Sequence, residues 1–102
     1  MPRALSCARV RVPAAHEAEW RAVVAELAAR LAARGQHLWV FRAEEDPELW
    51  LEFSESKERA AHRLVAPRPP EEEALEARLR RLARYDLAPS ALWAEVPLAK
   101  ES

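Results

Sequence analysis

A chain of 102 residues, half of them hydrophobic and 32% charged, has room for one domain around one core. Sixteen basic and seventeen acidic side chains leave a net charge of −1, which gives no electrostatic reason to expect DNA or an anionic membrane as a partner. No apolar run approaches a membrane span, the opening residues lack the unbroken apolar stretch of a signal peptide, and the single cysteine, Cys7, cannot form an intrachain disulfide; a reducing cytoplasm is the expected location.

Residues 4–13 alternate, with Ala8, Val10 and Val12 on one parity and Cys7, Arg9 and Arg11 on the other, so they predict a strand that Pro13 ends. Residues 14–35 predict a helix: Trp20, Val23, Val24, Leu27 and Leu31 recur at helical spacing, Glu17/Arg21 and Glu26/Arg30 form i,i+4 pairs, and Gly35 stands where a left-handed cap is wanted. Residues 36–42 and 49–53 read as two strands joined by the AEEDPE turn. Residues 54–67 fit a short helix capped by Ser54 or Ser56, and PRPP at 67–70 is a stiff break. A second helix is expected over 71–86, with Leu75, Leu79 and Leu82 on its apolar stripe, an acidic start and an arginine-rich end that both suit the helix dipole. Residues 90–98 alternate again as a final strand, and 99–102 should fray.

Two successive strand–helix–strand units predict an α+β, ferredoxin-like βαββαβ sandwich. Its four-stranded antiparallel sheet has the first and third strands in the middle and both helices on one face. Parity assigns Ala8, Val10, Val12, Leu38, Val40, Leu49, Leu51, Phe53, Leu92, Ala94 and Val96 to the helix-covered face. The opposite face then carries Cys7, Arg9, Arg11, His37, Trp39, Phe41, Trp50, Glu52, Trp93 and Glu95. Four large aromatic side chains on one uncovered surface amount to roughly 600 Å², the upper end of what a monomer leaves exposed. Covering that area contributes on the order of 15 kcal/mol before association costs, so a homodimer through the aromatic sheet face is expected. Arg9 and Arg11 would pair across strands with Glu52 and Glu95.

Element order, the RVRVPAAHEAEWRAVVAELAARL opening and the LWLEFSESKERAAH run after the hairpin resemble the dimeric α+β barrel superfamily, and within it the antibiotic-biosynthesis-monooxygenase-like domains. The resemblance covers residues 4–98 and implies two sheets packed face to face, with small molecules bound between the sheets or between sheet and helices. It also implies an active-site Asn for the cofactor-free quinone-forming and the haem-degrading members. This sequence has no Asn, so the resemblance carries the scaffold further than those activities.

The strongest ligand-binding constellation is Arg9, Arg11, Trp39, Trp50, Glu52 and Trp93: an aromatic slot with an arginine pair suits a small planar or anionic molecule. The same residues also read as an interface with paired charges, with non-catalytic dimerisation as the alternative function. His37 and His62 are the weak catalytic candidates; the spacing of the three histidines matches no metal motif, and no cofactor is expected. Cys7 reads as a small packed thiol, Glu71 to Glu73 as a helix start, and Arg78, Arg80, Arg81 and Arg84 as a solvated helix face. An RNA platform would use Trp39, Phe41 and Trp50 for stacking, but acidic residues on that face and the absent glycine–aromatic signature argue against nucleic acid.

Overall fold

The computed structural model describes residues 2–86 and 92–98. Its elements in chain order are β1 (Ala4–Arg11), α1 (Glu17–Ala32), β2 (His37–Arg42), β3 (Leu49–Ser56), α2 (Pro70–Leu82), β4 (Arg84–Asp86) and β5 (Trp93–Ala94). Single 3₁₀ turns at Ala14–His16 and Arg59–Ala61 precede the two helices. The sheet is antiparallel in the order β2-β3-β1-β4, with β5 also on β1, so β1 and β3 lie at its centre as the element order predicts.

Helix α1 buries Trp20, Val23, Val24, Leu27 and Leu31, the residues at helical spacing. It ends on Gly35 at φ 76°, where the Gln36 and Gly35 amides reach back to the Leu31 and Ala32 carbonyls. That left-handed turn is open to glycine and strained for a β-carbon. Helix α2 begins with Pro70 in its first turn and turns Glu72, Leu75, Glu76 and Leu79 inward. The core joins Val10 and Val12 of the first strand region to Trp20, Leu27, Leu31, Leu38, Trp50, Leu75 and Leu79.

The predicted faces hold on β1 and β2 and fail on β3. Residues Val10↔Trp50, Ala8↔Glu52 and Ser6↔Ser54 are opposite each other across β1–β3, as are Val40↔Glu52 and Leu38↔Ser54 across β2–β3. Opposed residues share a face, so Trp50, Glu52, Ser54 and Ser56 turn toward the helices, and Leu49, Leu51 and Phe53 turn away. The segment LWLEF carries large apolar residues on both parities, and its leucine-rich parity reads as the core. The indole of Trp50 buries more area than a leucine, and Glu52 finds an arginine inside, so the other register wins.

Three further boundaries move. Strand β3 continues to Ser56, taking the start of the expected 54–67 helix and leaving one 3₁₀ turn of it. Helix α2 stops at Leu82 because Ala83 is extended, and Arg84–Asp86, expected to be helical, pairs with β1 instead. The expected strand over 90–98 is the two-residue β5, with Trp93 outward opposite Leu5 and Ala94 opposite Ala4. Val96, assigned to the core face, is 71% exposed. Residues 90, 91 and the tail 99–102 lie outside the described residues.

Candidate functional site

The expected slot of Arg9, Arg11, Trp39, Trp50, Glu52 and Trp93 divides between the two faces of the sheet. Arg9, Arg11, Trp39 and Trp93 lie on the face away from the helices, and Trp50 and Glu52 are buried beneath the helices. On the outer face Trp39, Phe41 and Trp93 are 43%, 57% and 55% exposed. Phe41 meets Phe53 edge-on at 5.5 Å, and His37 stacks flat on Trp39 at 5.1 Å. The charges are arranged differently from the expected arginine–glutamate pairs. Arg11 donates to Asp46 at 3.0 Å, and Glu95 lies 3.8 Å from Arg3. Arg9 stands opposite Asp86 and Leu51 on its neighbours, and Glu52 is on the other face altogether.

His37 Nδ1 lies 2.8 Å from Glu55, and Arg3 donates to the same carboxylate at 2.9 Å. Burial works against the Glu55 charge, but the bonds from Arg3 and His37 outweigh it and hold the carboxyl below its ordinary range. His37 is exposed at the end of an edge strand, with its ring engaged by this acid and by Trp39.

Inside, the polar residues of β3 build a connected network. Arg63, from the segment after β3, donates to Ser54 Oγ at 3.0 Å, Glu52 at 2.9 Å and Glu76 at 2.7 Å. Arg68 donates to the second oxygen of Glu76 at 2.6 Å and to the Arg63 carbonyl at 2.8 Å. Tyr85 donates its hydroxyl to the other oxygen of Glu52 at 3.1 Å and accepts the Trp20 indole N–H at 3.1 Å. Two buried carboxylates thus share one buried guanidinium, and a phenol and an indole complete the row. Burial pushes the Glu52 carboxyl up, against the pull of Arg63, and burial beside Glu52 pushes the Tyr85 phenol well above its usual value. A second clamp joins Arg34 to Glu72 through both guanidinium nitrogens. None of this was visible from spacing, because the partners come from residues 20, 52, 63, 76 and 85. The one available signal was polar: glutamates inside the α2 stripe and on β3 demand cationic partners once buried.

His62 is fully buried. Its Nδ1 accepts the Leu64 amide at 3.1 Å, so its Nε2, 3.0 Å from the Ser54 carbonyl, carries the proton as donor. Both ring nitrogens are therefore committed to backbone groups in the neutral state. Burial disfavours the charged ring most, the Ser54 carbonyl partly offsets this, and Arg63 and Arg68 add to it, so the pKa falls below 6.5. The unfolded chain then binds the proton more readily than the folded one, and stability is complete above 6.5 and lost as the pH falls below it. Glu52, with its raised value, acts with the opposite sign, its contribution being lost as pH rises through its folded value. Urea unfolding across this range is expected to show a flatter acid limb for His62→Gln than for the unmodified chain. Identical slopes would remove His62 as the titrating group.

Trp50 packs on Trp20 at 4.9 Å and lies under the Arg42 guanidinium at 5.2 Å, and its own buried N–H has no partner among the described residues. It is a core residue in this arrangement. Among the described residues no group of three His, Cys, Asp or Glu side chains is placed to hold a metal ion, and no helix is long and apolar enough to cross a membrane.

No protein-family model and no curated protein matches the chain. Solved structures do. A conserved protein of unknown function from Bacteroides thetaiotaomicron superposes with a TM-score of 0.76 at 13% identity, covering 92% of this chain and 98% of that one. SnoaB, a cofactor-independent oxygenase from Streptomyces nogalater, superposes with a TM-score of 0.74 at 20% identity, over 98% of this chain and 100% of its own. A candidate antibiotic biosynthesis monooxygenase from Deinococcus radiodurans gives 0.65 at 19% identity, over 97% and 96%. At such identities the likeness speaks for architecture: the chain is built on the ferredoxin-like α+β fold shared by antibiotic-biosynthesis-monooxygenase-type proteins.

Proposed function

We propose that the chain acts as a homodimer of single-domain protomers, joined through the outer sheet face, and binds a small planar or anionic molecule there, in a reducing cytoplasm where Cys7 stays a thiol. The observation that carries this reading is the outer face itself. Trp39, Phe41 and Trp93 stand about half exposed on a surface that also presents Leu5, Leu49, Leu51 and Phe53, and no described helix lies over it. A second copy covers such a patch with its own, which is the isologous arrangement of a two-fold dimer. Arg9 supplies positive charge beside the rings, with Arg11 next to it held by Asp46, and indoles with arginine suit a planar anion. SnoaB, which shares the fold, is described as a cofactor-independent oxygenase, and this supports a small-molecule role. Glu55 and Asp86 on the same face disfavour a nucleic-acid backbone.

A second reading, a dimerisation module without a ligand, draws on one observation: Trp50 and Glu52 are consumed by packing and ion pairing. Two measurements separate the readings. Light scattering at micromolar concentration is expected to give twice the 11.6 kDa chain mass. Phe41→Glu should weaken association by about a hundredfold, because it places a charge where an exposed aromatic ring is to be covered. A monomer at that concentration rules out both readings. Indole fluorescence of the dimer should fall on titration with planar aromatic carboxylates, and less so in Trp39→Phe; no response across a broad panel leaves the dimerisation module.

A further inference from the structure

One end of the sheet carries a cleft of about 400 Å³ that shares Arg11 alone with the outer-face reading. Arg11, His16 and Glu48 line one side and Arg81, Leu82 and Arg84 the other. The chain builds it by bringing together three separate pieces. The end of β1 and the 3₁₀ turn after it are tied to the β2–β3 loop, where Glu48 accepts the Ala14 amide at 3.0 Å and donates its own amide to Asp46. The α2–β4 corner closes the other side.

The charge there is unbalanced. Three arginines face one glutamate, and that glutamate is already engaged by the backbone. Arg11 is neutralised by Asp46, but Arg81 and Arg84 make no ion pair among the described residues. Arg84 sits directly opposite Arg11 across the β1–β4 ladder. Like charges in that position destabilise a sheet unless something between them carries the opposite sign. The last turn of a helix accounts for Arg81, whose charge suits the carbonyl end, but nothing of that kind accounts for Arg84. Leu82 adds an apolar residue to the lining of the cleft.

We propose that this cleft binds a small organic anion, its carboxylate or phosphate group held by Arg81 and Arg84 and its apolar body against Leu82. Guanidinium forks match two-oxygen anionic groups, and a site of this size holds one small molecule. His16 at the rim adds a further donor. The residues lining the cleft all come from one chain, and Arg11 and Arg84 stand at the end of the sheet face that the proposed dimer shares.

Calorimetric titration with inorganic phosphate, phenyl phosphate and benzoate tests it. Saturable one-to-one binding that weakens with salt is expected, with phenyl phosphate or benzoate tighter than inorganic phosphate. Arg84→Gln and Arg81→Gln should each weaken it about tenfold or more. Arg21→Gln removes the same charge from an exposed site on α1 and should change nothing. Arg84→Lys, which keeps charge and loses the fork, serves if Arg84→Gln fails to fold, and should still weaken binding. No binding of any probe up to about 10 mM overturns the proposal, as does an Arg21→Gln effect equal to that of Arg84→Gln. Light scattering on the same samples shows whether the dimer reading fails separately.

Discussion

Arg63→Met is expected to lower the unfolding free energy by about 3–5 kcal/mol, because it leaves Glu52 inside the protein without a cation and takes from buried Glu76 the cation it shares, with Arg68 remaining on its other oxygen. Arg63 is 8% exposed and the two carboxylates about 5%, so water cannot replace it. The loss is a cost of breaking the network and not the worth of having it. Replacing Arg63, Glu52 and Glu76 together by apolar residues of similar size should therefore recover most of the stability. Arg63→Lys keeps the charge, but one ammonium cannot reach Ser54, Glu52 and Glu76 as the fork does, and it should fall between. Urea unfolding of the four proteins at one fixed concentration, so that any association contributes equally, measures all of this. A loss below about 1 kcal/mol for Arg63→Met would mean that the buried ion pairs are open to solvent.

Trp20→Ala should cost about as much, 3–5 kcal/mol, by a different route. Trp20 is fully buried at the junction of α1, β3 and β4, against Trp50 and beneath Tyr85. Truncation leaves a void that a ring contact and a phenol once lined, and the surrounding strands cannot collapse to fill it. Trp20→Phe separates packing from hydrogen bonding: it keeps most of the ring and loses the bond to Tyr85, so about 1 kcal/mol is expected. A 102-residue domain has a total stability on the order of 5–15 kcal/mol, so Trp20→Ala and Arg63→Met combined should leave little folded chain at 37 °C. Thermal unfolding followed at the near-ultraviolet signal of the indoles distinguishes the phenylalanine and alanine variants. Equal losses for both would place the weight on the hydrogen bond and not on the packing.

What is readable in the chain depends on how local the deciding interaction is. Helix α1 is legible because Trp20, Val23, Val24, Leu27 and Leu31 declare one face at a period of 3.6, and Gly35 is the residue that its terminal conformation needs. The strands are legible where one parity is plainly polar, as in ARVRV, and illegible where neither is, as in LWLEF. The candidate slot failed on that same ambiguity. It assumed that Trp50 and Glu52 keep company with Arg11, when β1 and β3 pair so that Val10 faces Trp50 and Leu51 faces Arg9. The second helix is expected to run on to Asp86 because its arginine-rich end suits the helix dipole, but β1 takes Arg84–Asp86 as a strand.

The sequence by itself determined the order and type of the elements from β1 to α2, the α+β class, and the presence of aromatic residues that one sheet with two helices cannot all cover. Those follow from periodicity and caps, which act over a few residues. Tertiary structure alone decided which face of β3 is inside, that His62 is a neutral donor and acceptor to the backbone, and that Arg63 sits between two buried acids. It also brought Arg81 and Arg84 beside Arg11 at one end of the sheet. Each is a contact between residues far apart in the chain, and its energy comes from burial and charge compensation that exist only once the strands have chosen their register.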